Sequence, residues 1–103
     1  MNRPKRTRKD ANHATLISQC RQLGMVVYDT ADAGGKLPDT FMCWRGKCLP
    51  VEIKAEGKRD DLTDGELEGQ AECAYVGVDW VIAVTIDDVL AAFTMQPCDD
   101  GSS

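Results

Sequence analysis

Asp39, Glu52 and Lys54 are the residues of this chain whose types and spacing could do chemistry together. They lie towards the two ends of an apolar stretch, Leu37 to Lys54, that is interrupted at Arg45-Gly46. Two β-prone runs around a short break ending in glycine predict a hairpin with a two-residue loop. Pairing then starts at Trp44:Lys47 and runs outward through Cys43:Cys48 and Phe41:Pro50 to Asp39:Glu52. Side chains alternate between faces, so Lys54 shares the face of Glu52. The pairs 43:48, 41:50 and 39:52 fall in the closer, non-hydrogen-bonded phase. Pro50, which has no N–H, is tolerated there, whereas a one-residue slip would place it where a donor is required. Two carboxylates directly opposite, roughly 5 Å apart at Cβ, repel each other. A shared divalent cation would offset that repulsion, as would a raised pKa on one of them.

The elements around the hairpin follow from periodicity and caps. Asp10 or Asn12 can cap a helix that runs to about Leu23, with Ala14 or Ile17, Leu16, Cys20 and Leu23 as its apolar stripe and Gly24 as its stop. Met25 to Asp29 reads as a short strand and Ala31 to Leu37 as a glycine-bearing loop. After the hairpin comes a polar crossover, Ala55 to Leu62. Thr63-Asp64-Gly65-Glu66 fits a capping box that starts a helix ending at Tyr75 or Val76, with Leu67, Ala71 and Ala74 as its buried side. Val78 to Thr85 is nearly all apolar, as expected of a buried central strand, and should lie parallel to the Glu52 strand after a right-handed crossover. Thr85 caps a last short helix through Phe93. The predicted fold is a single α/β (α+β-like) domain of order αβββαβ(α), with a mixed central sheet flanked by helices. A flexible basic arm (residues 1–9) precedes the domain (10–93), and a disordered tail (94–103) follows it.

Composition bounds the function. The 103 residues suit one small domain, with 43% hydrophobic and 28% charged side chains. No apolar run approaches the roughly 18 residues of a membrane span. The N-terminus is basic with no apolar region after it, so a cytoplasmic protein, host-cell cytoplasm if phage-encoded, is expected. Five cysteines are an odd number without a zinc-ligand pattern, and they read as reduced thiols. Cys43 and Cys48 nevertheless face each other in the hairpin register, close enough for oxidation to bridge them. Arg3, Lys5, Arg6, Arg8 and Lys9 crowd the first nine residues, leaving seven basic against seventeen acidic side chains beyond them, a balance of −10. Such an acidic body is awkward for nucleic-acid binding, which draws its affinity from phosphate contacts. The basic arm, bound metal or a partner protein would offset it.

Pro38-Asp39, a spacer of twelve residues and then Glu52-Ile53-Lys54 resembles the signature of the PD-(D/E)XK nuclease superfamily. More narrowly, the chain is similar to small stand-alone VRR-NUC-type (Holliday-junction-resolvase-like) nucleases of phages and prophages, over about residues 10 to 93. Gly34-Gly35-Lys36 before the aspartate adds to the likeness. The resemblance implies a restriction-endonuclease-like core and a metal-dependent DNA endonuclease using Mg²⁺ or Mn²⁺. Asp39, Glu52 and the Ile53 carbonyl would hold the ion. Lys54 would orient or deprotonate the attacking water and stabilise developing charge. Gln70 would take the place of a polar residue on the family's second helix. The first helix lacks the glutamate often found there, and Asn12 and His13 are the candidates facing the site in its stead, which leaves the number of metal ions open. Gly34, Gly35 and Lys36 would bring backbone and one cation to DNA. Glu56 continues the alternation of Glu52 and Lys54. Trp44 and Trp80 read as core or sheet-edge anchors. The acidic run Asp60, Asp61, Asp64, Glu66, Glu68 and Glu72 reads as a solvated face. A homodimer acting on branched or duplex DNA suits the family. The alternative is a catalytically weak or inactive nuclease-fold accessory protein that binds DNA or a phage protein partner.

Overall fold

A computed structural model describes the backbone of residues 5–95 and the side chains of residues 12–95. Helix α1 spans Lys5–Gln22, strand β1 Val26–Asp29, β2 Thr40–Trp44 and β3 Lys47–Ile53. Helix α2 follows at Asp64–Tyr75, β4 at Val81–Ala83 and α3 at Ile86–Thr94, with a single 3₁₀ turn at Ala31–Ala33 between β1 and β2. The element order is the one expected. The four strands form one mixed sheet in the order β1-β2-β3-β4, antiparallel except for the parallel β3–β4 pair.

The hairpin register is the expected one. Trp44 pairs with Lys47, Cys43 with Cys48, Met42 with Leu49, Phe41 with Pro50 and Thr40 with Val51. Arg45 and Gly46 form the loop with φ of 52° and 80°, the two positive angles of a type I′ turn, whose twist matches that of the strands. Pro50 sits immediately before the residues that pair with β4. Its missing N–H therefore faces neither β2 nor a β4 partner. Each helix stops or starts on local chemistry: α1 ends at Gly24, whose φ is 98°. Capping boxes begin α2 (Thr63 with Glu66) and α3 (Thr85 with Asp88).

One face of the sheet carries the core. Leu16, Ile17 and Cys20 of α1 and Val89 and Phe93 of α3 bury against Val27, Met42, Val51, Ile53 and Ala83. Trp44 closes one end, edge-to-face with Phe93 at a centroid distance of 5.8 Å.

Several expected details are corrected. Helix α1 begins at Lys5, well before a cap at Asp10 or Asn12. Asn12 is inside the helix, and its side chain is spent on a tertiary bond to Lys54 O. Residues 5–9 of the expected arm are thus helical backbone, and of the expected tail 94–103 Thr94 ends α3 and Met95 O accepts from Lys47 Nζ at 3.0 Å, while residues 1–4 and 96–103 lie outside the described residues. The buried stripe of α1 is His13, Leu16, Ile17 and Cys20, and Leu23 is exposed because the chain turns away at Gly24. Strand β4 is short and forms a sheet edge; the interior strands are β2 and β3. Val78 is exposed, outside the strand, and Trp80 is the buried anchor before it. In α2 the buried residues are Glu66 and Gly69, and Leu67 is exposed, as are Ala71 and Ala74. The reason lies in the site that α2 serves.

Candidate functional site

Pro38-Asp39 is clamped from β1: Thr30 Oγ1 donates to Pro38 O and Thr30 N to Asp39 O, both at 2.8 Å. One position beyond the last ladder pair, side chains take over from the backbone. Asp39 N donates to Glu52 Oε1 at 3.0 Å, and Ile53 N donates to Asp39 Oδ2 at 3.0 Å. Each carboxyl group is thereby fastened to the other's strand, so the two acids are held together by the hairpin register. Both are buried, Asp39 at 4% exposure and Glu52 at 0%.

Lys54 completes the constellation. Its Nζ lies 3.2 Å from Glu52 Oε2 and 3.2 Å from Glu66 Oε1, and only 8% of the residue is exposed. The strand end that carries it is held from two sides, by Lys54 N donating to Ala83 O and Asn12 Nδ2 donating to Lys54 O, each at 2.9 Å. Glu66 Oε1 also accepts from Thr63 N at 3.0 Å, so the glutamate that closes the capping box of α2 is the one that grips Lys54. Carboxylate oxygens of Asp39, Glu52 and Glu66 lie within 4.8 Å of one another.

The electrostatics are uneven. Burial, and next the Asp39 charge, push the Glu52 carboxyl up to about 8. Burial also opposes charge on Lys54, but the carboxylates of Glu52 and Glu66 outweigh it and hold the ammonium above the ordinary lysine value. Burial acts on Glu66 too, yet the Thr63 N–H, the Glu52 carboxyl and Lys54 together hold it below the ordinary glutamate value. The proton of the cluster therefore resides on Glu52. Protonated, Glu52 donates to the Glu66 carboxylate, and its Oε2 lies 3.2 Å from Lys54 Nζ. A hard cation bound among the three carboxyl groups would displace that proton.

The remaining expected residues are distributed as follows. His13 is buried with Nε2 3.1 Å from Asp29 Oδ1 and Nδ1 3.9 Å from Asp39 Oδ2, so the first helix reaches the cluster through a histidine. Gln70, one turn beyond Glu66, is half-buried in a shallow groove with Leu67, Ala71, Ala74, Asp79 and Trp80. It makes no hydrogen bond to the cluster among the described residues, and Glu66 is the α2 residue at the site. The Ile53 main chain meets the cluster through its N–H bonded to Asp39. Glu56 is exposed beyond the end of β3. The glycine loop turns its carbonyls to α2: a Cβ at Gly65 would lie 2.6 Å from Gly35 O, and one at Gly69 would lie 2.0 Å from Lys36 O. The close approach made possible by glycine is thus between loop and helix. Lys36 Nζ is engaged by Glu72 at 2.8 Å and Glu68 at 3.3 Å across the same contact.

Sequence reasoning missed two residues. Glu66 was placed in the cap and on a solvated face, because a capping box says nothing about what the glutamate touches beyond its own turn. Asp29, the partner of His13, lies opposite Thr40, next to Asp39, in a β1–β2 register that no turn between those strands sets in the sequence.

In comparisons with protein-family models, curated protein sequences and solved structures, nothing matches this chain.

Proposed function

We propose that this chain is a divalent-cation-dependent DNA endonuclease of the PD-(D/E)XK type, with Asp39, Glu52 and Lys54 at its centre. The observation that carries the reading is the convergence of three buried carboxyl groups, Asp39, Glu52 and Glu66, with oxygens within 4.8 Å of one another, on the Lys54 ammonium. Three carboxyl groups on one ammonium leave an excess of negative charge that a bound cation would offset. The donor set is all oxygen, which suits Mg²⁺ or Mn²⁺ over softer metals. Asp39 and Glu52 would hold the ion with the Ile53 carbonyl, and Glu66 is a further carboxylate within reach. When bound, the cation would polarise the phosphate and supply a nucleophilic water near neutral pH.

The chain's own residues do the rest. Glu52 acts as a ligand only when ionised, so it gives up the proton that burial lets it keep. Lys54 stays an ammonium at neutral pH, which suits it to orienting water and stabilising charge on the phosphoryl oxygens rather than to abstracting a proton. Glu66 positions Lys54 and keeps it charged. His13 fixes Asp39 relative to β1.

The test is cleavage of labelled single-stranded, duplex, flap and four-way-junction DNA with Mg²⁺ or Mn²⁺, beside Asp39→Asn and Lys54→Ala. Metal-dependent cutting should fall about 10²- to 10³-fold in Lys54→Ala, and Asp39→Asn should be inactive. Cutting that survives both changes would sink the assignment. A second reading, a nuclease-fold accessory protein, is favoured by the near-complete burial of Glu52 and Lys54 and by the acidic body. A wild type that cuts nothing with either metal would select it.

A further inference from the structure

Cys43 and Cys48 occupy the first non-hydrogen-bonded pair beyond the hairpin turn. In that phase of an antiparallel ladder the Cα atoms approach to about 4.5 Å, inside the range a disulfide spans. The two sulfurs are in contact, although both are free thiols. Cys48 is exposed and Cys43 half-exposed, so a small oxidant reaches them. The other described cysteines differ. Cys20 is sealed in the core and Cys73 lies half-buried on α2.

We propose that Cys43 and Cys48 form a thiol–disulfide modification site that closes on reaction with a low-molecular-weight disulfide such as oxidised glutathione. One cysteine thiolate attacks a sulfur of the oxidant, forming a mixed disulfide and expelling one glutathione thiolate. The second cysteine thiolate then attacks the mixed disulfide at the protein sulfur and expels the second glutathione. The two cysteines lose two electrons, the oxidant gains them, and each departing glutathione thiolate takes up the proton released by an attacking thiol. The type I′ turn holds the second thiol against the first, so ring closure outruns accumulation of the mixed disulfide.

The site bears on the rest of the molecule through the register. Cys43 and Asp39 lie on one face of the hairpin four residues apart, and so do Cys48 and Glu52. A bond between 43 and 48 locks the pairing that sets Asp39 against Glu52, since a one-residue slip would require breaking it. Oxidation therefore stabilises the hairpin, whatever reaction its far end carries out.

The experiment treats the full chain with oxidised glutathione and compares it with the reduced chain and with Cys43→Ser, Cys48→Ser and Cys73→Ser. Trypsin can cut after Arg45 and Lys47, between the two cysteines, so the bridge is read as peptide 37–45 joined to peptide 48–54. The expected product is a monomer lighter by two hydrogens, with that linkage and a melting temperature raised by about 5 °C or more. Cys73→Ser should react as the wild type does, and neither Cys43→Ser nor Cys48→Ser should close the bridge. A persistent glutathione adduct, a linkage to another cysteine or between chains, or no reaction in a correctly folded wild type would overturn the proposal.

Discussion

Replacing Glu52 with glutamine should make the metal-free protein more stable at neutral pH. The Glu52 carboxyl has a folded-state value of about 8 against an ordinary 4.5. A raised acid pKa means that the native state keeps a proton which the unfolded chain gives up, so stability is full below the unfolded value and is lost as pH rises towards 8. At pH 7 the unfolded chain lies 2.5 units above its own value of 4.5, which at 1.36 kcal/mol per unit corresponds to about 3 kcal/mol of lost stability. Glutamine removes that loss and keeps an acceptor for Asp39 N, but its amide must replace a carboxyl that lies 3.2 Å from Lys54 Nζ. The net gain should be about 1–2 kcal/mol, roughly 5–10 °C in melting temperature for a chain of this size. Thermal denaturation of both proteins without metal, from pH 5 to pH 8, measures it. Wild type should lose stability over that range, and Glu52→Gln should lose much less. A variant that is less stable at pH 7, or that shows the wild-type slope, would refute the assignment of the proton to Glu52.

Further outcomes follow from the same geometry. Gly69→Ala should lower the melting temperature by about 5–10 °C, because its Cβ would meet Lys36 O at 2.0 Å and the steric cost of about 1–3 kcal/mol exceeds the gain in helix propensity; an unchanged melting temperature would contradict the docking of loop on helix. Asp88→Ala should cost about 1 kcal/mol at pH 7 through loss of the α3 cap. Burial opposes the Asp88 charge, but the Val84 N–H, Arg59 and the Thr85 N–H outweigh it and lower its pKa. Its contribution is therefore present above the ordinary aspartate value and vanishes as pH falls below it, and denaturation curves of the two proteins should converge towards pH 3. His13→Ala should loosen the tie between α1 and the Pro38–Asp39 end of β2, read as faster amide exchange at Thr30, whose N–H is bonded to Asp39 O.

The hairpin was legible because its evidence is local and redundant. The Arg45-Gly46 turn, the alternation and the phase of Pro50 all select one register, and that register alone places Asp39 against Glu52. The helix caps at Thr63 and Thr85 were legible for the same reason. The packing of α2 was not, because the usual signal for a buried face is a stripe of large apolar residues. Here the buried positions are a glutamate and a glycine, chosen for what they touch, and the larger Leu67 is left outside. Glycines at 65 and 69 are poor helix formers, and their spacing of one helical turn was the available hint of a close backbone approach. Strand β4 misled through composition: an apolar run suits a central strand, yet this one closes the edge, shielded partly by Trp80 and α3. Helix α1 extended beyond its apolar stripe because a helix can continue past the residues that pack.

The most direct measurement is Mg²⁺-dependent cleavage of DNA by Glu52→Gln beside wild type, at a temperature where both are folded. Wild type should cut, and the variant should not, although it melts at the higher temperature; loss of activity with gain of stability would place the defect in the chemistry and not in the fold. Equal cleavage by the two proteins would show that the buried carboxylate takes no part, and with it the proposed cation site at Asp39 and Glu52 would fall.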